Sequence, residues 1–129
     1  MKVILSIRPE FVEKIITGEK RYEYRKKIFK QNVKSVIIYS TKPVGMLIGE
    51  FTIKSVLHDE VDKIWSKTNL LSGISHKFFK DYFSSQDMAF ALEINNLTIY
   101  EEPIEPKEII ADFTAPQSFC YLRENILLR

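Results

Sequence analysis

Three charged side chains within six positions of this chain are of the types that bind anions or exchange protons. Lys20, Glu23 and Arg25 follow Gly18, which can adopt the left-handed conformation that ends a helix. Residues two apart in a strand project from the same face, so Glu23 and Arg25 can form a charge pair. Arg25 would then offer planar donors to a phosphate or a base edge, and Glu23 could accept from an exocyclic amine. The spacing predicts an anion site at a cleft; a salt bridge that only completes the mouth of a barrel is the alternative.

These three residues belong to a strongly cationic segment. Residues 20–34 contain seven lysines or arginines and a single acid, whereas the rest of the chain contains twelve cationic and sixteen acidic residues. The net charge of +2 therefore conceals a polarised molecule, for which we expect an anionic partner. Tyr22, Tyr24 and Phe29 interleave the charges, as suits a base stacked beside its phosphate. The segment predicts nucleic-acid binding; a solvated strand edge that resists aggregation is the alternative.

Further polar side chains lie where predicted strands end. Ser6 and Arg8 lie at the end of the first predicted strand. Ser40, Thr41 and Lys42 lie at the end of the third. If these strands are neighbours, their ends converge on one cleft whose hydroxyls and amides suit a nucleotide, although the same residues are typical of an ordinary turn. The predicted ligand-binding residues are Ser6, Arg8, Lys20, Arg21, Tyr22, Glu23, Arg25, Ser40, Thr41 and Lys42.

The composition is that of an ordinary globular chain. Its 129 residues fit one domain, residues 1–129, with 45% hydrophobic and 28% charged residues. We expect neither a signal peptide nor a membrane span. Cys120 is the single cysteine, which excludes an internal disulfide and favours the reducing cytoplasm. His58 and His76 have no companion at ligand spacing, so we expect no metal and no cofactor, and we expect a monomer.

Hydrophobic alternation predicts five or six strands. They cover residues 2–7, 20–26, 36–40, 46–57 and 88–94, and the last continues over 97–100 past a bend at Asn95 and Asn96. Gly49 predicts a place where another backbone or a ligand approaches the fourth strand closely. Pro103 and Pro106 indicate a linker, and residues 116–122 are expected to form a turn or short helix that closes one end of the core.

Three short helices are predicted between these strands. Pro9 opens the first helix and Gly18 ends it. Asp59 is expected to cap the second, and a connector covers residues 69–74. Ser75 is expected to cap the third, whose phenylalanines and tyrosine recur at helical spacing and indicate core packing. These elements predict a small α+β fold: a mixed, mainly antiparallel β-barrel of five or six strands with three short helices.

Several sequence runs resemble the ASCH domain of the PUA-like superfamily. They are Leu5-Ser6-Ile7-Arg8-Pro9, the G-x-K-x-x-E-x-R pattern from Gly18 to Arg25, Tyr39-Ser40-Thr41-Lys42-Pro43-Val44, Gly49-Glu50-Phe51 and Pro116-Gln117-Ser118-Phe119. The resemblance covers nearly the whole chain and is strongest to small stand-alone proteins described as predicted transcriptional regulators. It implies a PUA-like barrel that binds RNA or a nucleotide-like anion in a basic cleft, in a regulatory role. A third hypothesis is a regulator that senses a small ligand and acts through another protein. Direct reading of a DNA sequence is weakly supported, because no helix-turn-helix pattern is evident.

The same resemblance implies an enzymatic alternative. Some ASCH proteins hydrolyse the acetyl amide of acetylated cytidine with a lysine, a threonine three residues later and a distant glutamate. Lys20 matches the lysine, but Glu23 stands in place of the threonine, and residues 69–74 contain no acid. Lys20 and Glu23 would be the catalytic residues if Glu23 activated water as a general base. The prediction is therefore a binding module, with a small amidohydrolase of acylated nucleosides as the alternative.

Overall fold

The computed structural model describes residues 1–122. Its strands are β1 (Lys2–Ile7), β2 (Tyr22–Arg25), β3 (Ser35–Ser40), β4 (Met46–Glu60), β5 (Met88–Ile104) and β6 (Phe119–Leu122). Its helices are α1 (Pro9–Thr17), α2 (Val61–Thr68) and α3 (His76–Tyr82), and 3-10 turns cover Asn69–Leu71 and Pro106–Glu108. Within the described residues, no helix has both the length and the apolar character needed to cross a membrane.

All six strands form one sheet in the order β2-β5-β4-β3-β1-β6. The β1–β3 pair is parallel and the other pairs are antiparallel. Parallel pairing places the ends of β1 and β3 at the same edge, where Ile7 lies opposite Ser40. The predicted α+β class, with mainly antiparallel strands and three short helices, is confirmed, and so is the expected proximity of these two strand ends.

Two layers of apolar side chains cover the sheet. α1 packs Val12 and Ile15 against β1, β3 and β5, because its apolar residues recur at helical spacing. Gly18 ends the helix in the predicted left-handed conformation, with φ of 86°. On the other side, Phe79 and Phe83 pack around Tyr24, which brings α3 onto β2. The apolar core thus fixes the positions of both helices relative to the sheet.

The sheet is not closed into a barrel by strand pairing in residues 1–122, since β2 and β6 are its two edges. We call the gap between these edges the seam, and residues 26–34, which follow β2, the seam loop. Side chains bridge the seam: the rings of Phe29 and Phe119 meet edge to face with centroids 5.2 Å apart. The Tyr121 hydroxyl accepts hydrogen bonds from the backbone amides of Lys30 and Gln31, at 2.9 and 3.3 Å. The fold is therefore barrel-like through side-chain contacts.

The C-terminal segment differs from the prediction of a turn or short helix. Residues 119–122 form β6, which pairs antiparallel with β1. The run Phe-Cys-Tyr-Leu is rich in strand-favouring residues, and its length is too small for periodicity to separate the alternatives. Pairing with the free edge of β1 decides the conformation. Residues 123–129 lie outside the described part of the chain.

Three boundaries also differ. β5 continues past Asn95 and Asn96 as predicted, with a positive φ of 49° at Asn96 and a shift in its pairing with β4 there, but it extends through Pro103 instead of ending at a linker. A proline is tolerated there because the β4–β5 pairing shifts register between Ile99 and Ile104, so Pro103 lies in an irregularity where it has no registered partner on β4. β4 extends to Glu60, so α2 begins at Val61 and the predicted Asp59 cap is wrong. The Asp59 carboxylate instead accepts hydrogen bonds from Lys67 and from the Glu60 amide.

The cap of the third helix is confirmed. Ser75 caps α3 as predicted, and its hydroxyl oxygen accepts a hydrogen bond from the Phe78 amide at 3.0 Å.

Candidate functional site

Lys20 is the most unusual charged residue of the structure, because its side chain is almost completely buried. Its relative exposure is 1%, and its Nζ donates a hydrogen bond to the backbone carbonyl of Ser72 at 2.9 Å. The ammonium also lies over the rings of Tyr24 and Phe11, 4.8 and 5.5 Å from their centroids. Around the Lys20 ammonium, the water that would surround an exposed lysine is replaced by the Ser72 carbonyl, the Glu23 carboxylate and two aromatic ring faces.

Burial lowers the pKa of Lys20 from 10.5 to about 8, although the negative charge of Glu23 opposes the shift. The Glu23 Oε1 atom lies 3.9 Å from the Lys20 Nζ. Near pH 8, the site therefore holds a lysine in comparable amounts of its charged and neutral forms. Such an amine can donate to an anion or accept a proton.

The backbone of Gly73 makes room for this lysine. Gly73 has a φ of +68°, and a Cβ atom built on it would overlap the Cβ of Lys20. Lys20 and Ser72 form an isolated antiparallel bridge next to it. The loop between α2 and α3 therefore needs a glycine at this position for two reasons, conformation and space.

Glu23 and Arg25 form the ion pair that their spacing predicts. The Arg25 Nη2 atom lies 2.8 Å from Glu23 Oε2, and both residues are 7% exposed. The guanidinium also donates to the Ser6 carbonyl at 3.0 Å and to the Ser118 hydroxyl at 3.3 Å. Its Nε atom is buried and has no hydrogen-bond partner within the described residues. Arg25 is thus rigidly held, and its buried Nε–H is an unsatisfied donor among residues 1–122.

These groups surround a cavity of about 360 Å³, a size typical of small-ligand sites. Its polar lining consists of Ser6, Arg8, Lys20, Glu23, Arg25, Thr41 and Gln117. Its apolar lining consists of Ile7, Phe11, Tyr24, Ile74, Phe78 and Tyr82. One wall can therefore supply charges and hydroxyls while the other supplies aromatic faces.

Six of the ten residues predicted from sequence line this cavity: Ser6, Arg8, Lys20, Glu23, Arg25 and Thr41. The other four lie elsewhere. Arg21 is exposed and lines a separate cleft beside Gly18, and Tyr22 faces the end of α2. Ser40 is 2% exposed and buried in the sheet, and Lys42 is exposed in the turn that follows.

The aromatic residues of the cationic segment are less accessible than the sequence suggested. Tyr24 is 5% exposed, and its hydroxyl shares a hydrogen bond of 2.7 Å with Thr68. Burial raises the pKa of Tyr24 to about 12. Besides Tyr24, the rings that line the cavity come from α1 and α3: they are Phe11, Phe78 and Tyr82. The spacing of Phe78 and Tyr82 predicted only a core-facing stripe, and no signal in the sequence tied that stripe to the cationic segment.

The arrangement differs from the amidohydrolase pattern described above. Glu23 occupies the position of the required hydroxyl and is committed to its ion pair with Arg25. The connector after α2 contributes Ile74 to the cavity and no carboxylate. What the site can do chemically is bind an anion next to a flat, partly apolar group, with a lysine of lowered pKa beside it.

Comparison with known proteins shows close relatives along the whole described fold. The chain is 31% identical to an "ASCH domain-containing ribonuclease" of Zymomonas mobilis, over 96% of this chain and 86% of that protein. The crystal structure of ASCH from Zymomonas mobilis superposes with a TM-score of 0.88 at 30% identity, over 95% of this chain and 88% of the other. The N-terminal domain of Staphylothermus marinus McrB shares the fold alone, with a TM-score of 0.58 at 15% identity over 95% of this chain and 88% of that chain.

A family model gives the same result. The model of the ASCH domain matches residues 5–98, which include the end of β1, the whole of β2, β3 and β4, the three helices and most of the cavity lining. The resemblance seen in the sequence runs is thereby confirmed, and the chain belongs to the ASCH domain family.

Proposed function

We propose that this chain binds RNA and places one nucleotide in the cavity around Lys20, Glu23 and Arg25. The observation that carries the proposal is the buried Glu23–Arg25 pair, which lines a cavity of about 360 Å³ opposite aromatic side chains. The positive charges of Arg8, Lys20 and Arg25, which line the cavity, would attract a phosphate, and the aromatic wall would pack against the base. Glu23 is positioned to accept from an exocyclic amine.

The relative named a ribonuclease supports RNA as the ligand class, since the similarity covers 96% of this chain and 86% of that protein. Single strands and loops suit the cavity better than a regular duplex, because only unpaired bases can be turned into a pocket. A regulatory role, a cytoplasmic location and a monomeric state stay predictions from the sequence.

The test uses two exposed arginines as a matched pair. Arg8 lines the cavity, with its guanidinium 5.4 Å from the Phe78 ring centroid, whereas Arg21 lies in a separate cleft. We expect Arg8→Gln to weaken binding of a single-stranded RNA by about tenfold, the loss typical of one charge-assisted contact, and Arg21→Gln to change it less than about threefold. Fluorescence anisotropy measures both. Equal effects of the two substitutions, or none, would refute the cavity as the RNA site.

A second candidate function, RNA cleavage in the same cavity, is favoured by one specific observation. The lowered pKa of Lys20 gives the site a base that is partly neutral at physiological pH, next to the guanidinium that would hold the phosphate. Lys20 would take the proton of a ribose 2′-hydroxyl, and the 2′-oxygen would then attack the adjacent phosphate to form a 2′,3′-cyclic phosphate. The P–O5′ bond breaks in this step, and the 5′-oxygen of the next nucleotide leaves as a hydroxyl with a proton taken from water. Arg25 would stabilise the charge that develops on the phosphate.

Cleavage of a labelled RNA on a denaturing gel tests this candidate. We expect the rate to rise with pH as Lys20 loses its proton, with a midpoint near its pKa of about 8. Lys20→Arg keeps the positive charge but cannot act as the base, so it should abolish cleavage while RNA binding persists. If the natural protein binds the RNA but does not cleave it, the cleavage candidate is refuted and RNA binding stands as the function. Amide hydrolysis of acetylated cytidine is not favoured, because position 23 lacks the hydroxyl.

A further inference from the structure

We propose that the seam loop, residues 26–34, forms a track of lysines that carries the phosphates of a single RNA strand away from the cavity. The inference rests on the proposed function and extends it to a second surface. Four of the nine residues of the seam loop are lysines and none is acidic. These lysines are Lys26, Lys27, Lys30 and Lys34. None of the four lines the cavity, so the anion site described above does not account for them.

The lysines of the seam loop are exposed and available. Within residues 1–122, no ion pair joins any of the four to a carboxylate, whereas Lys2, Lys63, Lys67 and Lys77 each have an acidic partner. Lys54 of β4 is also exposed and unpaired among the described residues, and it lines a cleft with the seam loop. Side chains from Gln31, Asn32 and Ser55 add hydrogen-bonding groups to that cleft. This concentration of unpaired positive charge suits a polyanion.

The backbone of the seam loop is held in place. Ile28, Phe29 and Val33 pack against the core, so the apolar residues of the loop face inward and the lysines face outward. The Tyr121 hydroxyl fixes the middle of the loop through the amides of Lys30 and Gln31. A cationic surface with a fixed backbone loses less freedom on binding than a disordered tail would.

The seam loop leads away from the cavity, so its lysines lie along a path and do not form a single isolated patch. Lys26 lies beside the cavity, because its Nζ is 4.8 Å from the ring centroid of Tyr82, which lines the cavity. At the other end, the Lys34 amide donates to the Met1 carbonyl at 2.9 Å. The loop therefore spans the length of β1, from the end where Ser6 lies to its beginning, a distance of about 20 Å for six residues.

An aromatic ring lies beside this path. Tyr121 is 36% exposed, and its hydroxyl accepts a hydrogen bond from the backbone amide of Lys30, so the ring lies beside the seam loop. Stacking on an exposed ring next to cations is a common mode of single-strand binding. The geometry points to single-stranded RNA with one nucleotide in the cavity and the adjoining phosphates on the lysines of the seam loop.

The test compares two triple variants of equal charge. The first is Lys27→Gln/Lys30→Gln/Lys34→Gln in the seam loop; the second is Lys63→Gln/Lys67→Gln/Lys107→Gln on exposed positions elsewhere. Each is titrated against a labelled single-stranded RNA of about fifteen nucleotides and against a mononucleotide, between about 50 and 200 mM salt. Circular dichroism melting confirms that each variant is folded.

We expect the seam-loop variant to bind the RNA at least about tenfold more weakly at low salt, and its salt slope to fall by about 0.7 for each phosphate that the lysines no longer neutralise. Mononucleotide binding should be unchanged, since the cavity is intact. The control variant should bind the RNA less than about threefold more weakly. Equal weakening of RNA binding in both triple variants, or an unaltered salt slope, would overturn the proposal. So would tighter binding of the natural protein, through its seam loop, to phosphatidylserine vesicles than to the RNA.

The two proposals fail in distinguishable ways. RNA binding that depends on the seam loop but not on Arg8 would overturn the cavity and keep the track. Binding that depends on Arg8 with no contribution from the seam loop would overturn the track and keep the cavity. A natural protein that binds neither the RNA nor the mononucleotide overturns both.

Discussion

At the scale of residues, the burial of Lys20 links stability to pH. The folded chain releases the Lys20 proton at a pKa of about 8, whereas an unfolded chain retains it up to the ordinary value of 10.5. Between these values the folded state binds fewer protons than the unfolded state, so its stability increases as the pH rises. Below about pH 8 the charged lysine is buried at a cost.

We therefore expect the free energy of unfolding of the natural protein to rise by about 2 kcal/mol from about pH 8 to pH 10, relative to Lys20→Met. Methionine has a similar length and does not titrate, which makes it the matched reference. Urea denaturation at several pH values measures the difference. If the free energy of unfolding depends on pH in the same way in the natural protein and in Lys20→Met, burial does not destabilise the charged form of Lys20 and the prediction is wrong.

Gly73 provides a second prediction at this scale. Gly73→Ala adds a Cβ that overlaps Lys20, on top of the strain of a positive φ, whereas Gly18→Ala has the same kind of strain with open space around it. We expect about 1 kcal/mol of destabilisation for Gly18→Ala. Gly73→Ala should cost about 2 to 3 kcal/mol, the added loss coming from overpacking, and should weaken RNA binding by displacing Lys20. Urea denaturation and anisotropy measure the two effects; similar losses in both variants would contradict the crowding argument.

The central triad of the site was predictable from residue spacing, and the limits of the prediction have a physical cause. Glu23 and Arg25 share a face because a strand alternates, and Lys20 joins them because Gly18 turns the chain just before it. Arg21 and Tyr22 belong to the same charged and aromatic run but lie outside the cavity. Whether a given residue of such a run faces a cavity depends on what packs against it, which local spacing does not encode.

At the scale of elements, α3 supports the aromatic wall of the cavity through its N-cap. Ser75 accepts a hydrogen bond from the Phe78 amide at 3.0 Å, and Phe78 and Tyr82 line the cavity. We expect Ser75→Ala to destabilise the protein by about 1 kcal/mol. Ser84→Ala, at an exposed position just after the helix, should have little effect. Thermal denaturation compares the two; equal melting temperatures would show that the cap contributes nothing.

Strands and helices with strong periodicity were predicted well, and errors fell where long-range pairing decides. Gly49 was expected to mark a close approach, and a Cβ there would overlap the Thr98 carbonyl on β5. In contrast, Asp59 looked like a cap because its side chain is suited to one, while β4 in fact continues past it along β5. β6 is a strand because β1 offers a free edge. Neither partner is visible from the local sequence.

At the scale of the whole molecule, the seam is closed by side chains, and its contribution can be measured. We expect Phe29→Ala and Phe119→Ala to be coupled by about 1 kcal/mol in a double-mutant cycle, because their rings meet edge to face. Phe29 and Phe113, which belong to different clusters, should be additive. Urea unfolding of the single and double variants gives both values. Additivity of Phe29 with Phe119 would mean that the seam is not held by this contact.

The barrel-like shape itself was predicted through resemblance and number of strands, but its open edges were not. Closure depends on whether β2 and β6 approach closely enough to pair, and the answer lies in contacts between residues about ninety positions apart. Sequence patterns describe which side of a strand is apolar, not how far a sheet curves.

The pairing of β6 with β1 determines when the cavity can form while the chain is being synthesised. Gln117 lines the cavity, the Ser118 hydroxyl binds Arg25, and β6 covers β1 across a separation of more than one hundred positions. A nascent chain that has left the ribosome only as far as β5 lacks these groups, although domains generally begin to fold from their N-terminal side. The growing polypeptide therefore exposes its cationic residues before the groups that complete the cavity have been made, so any ligand selectivity proposed for the cavity can arise only after β6 has been synthesised.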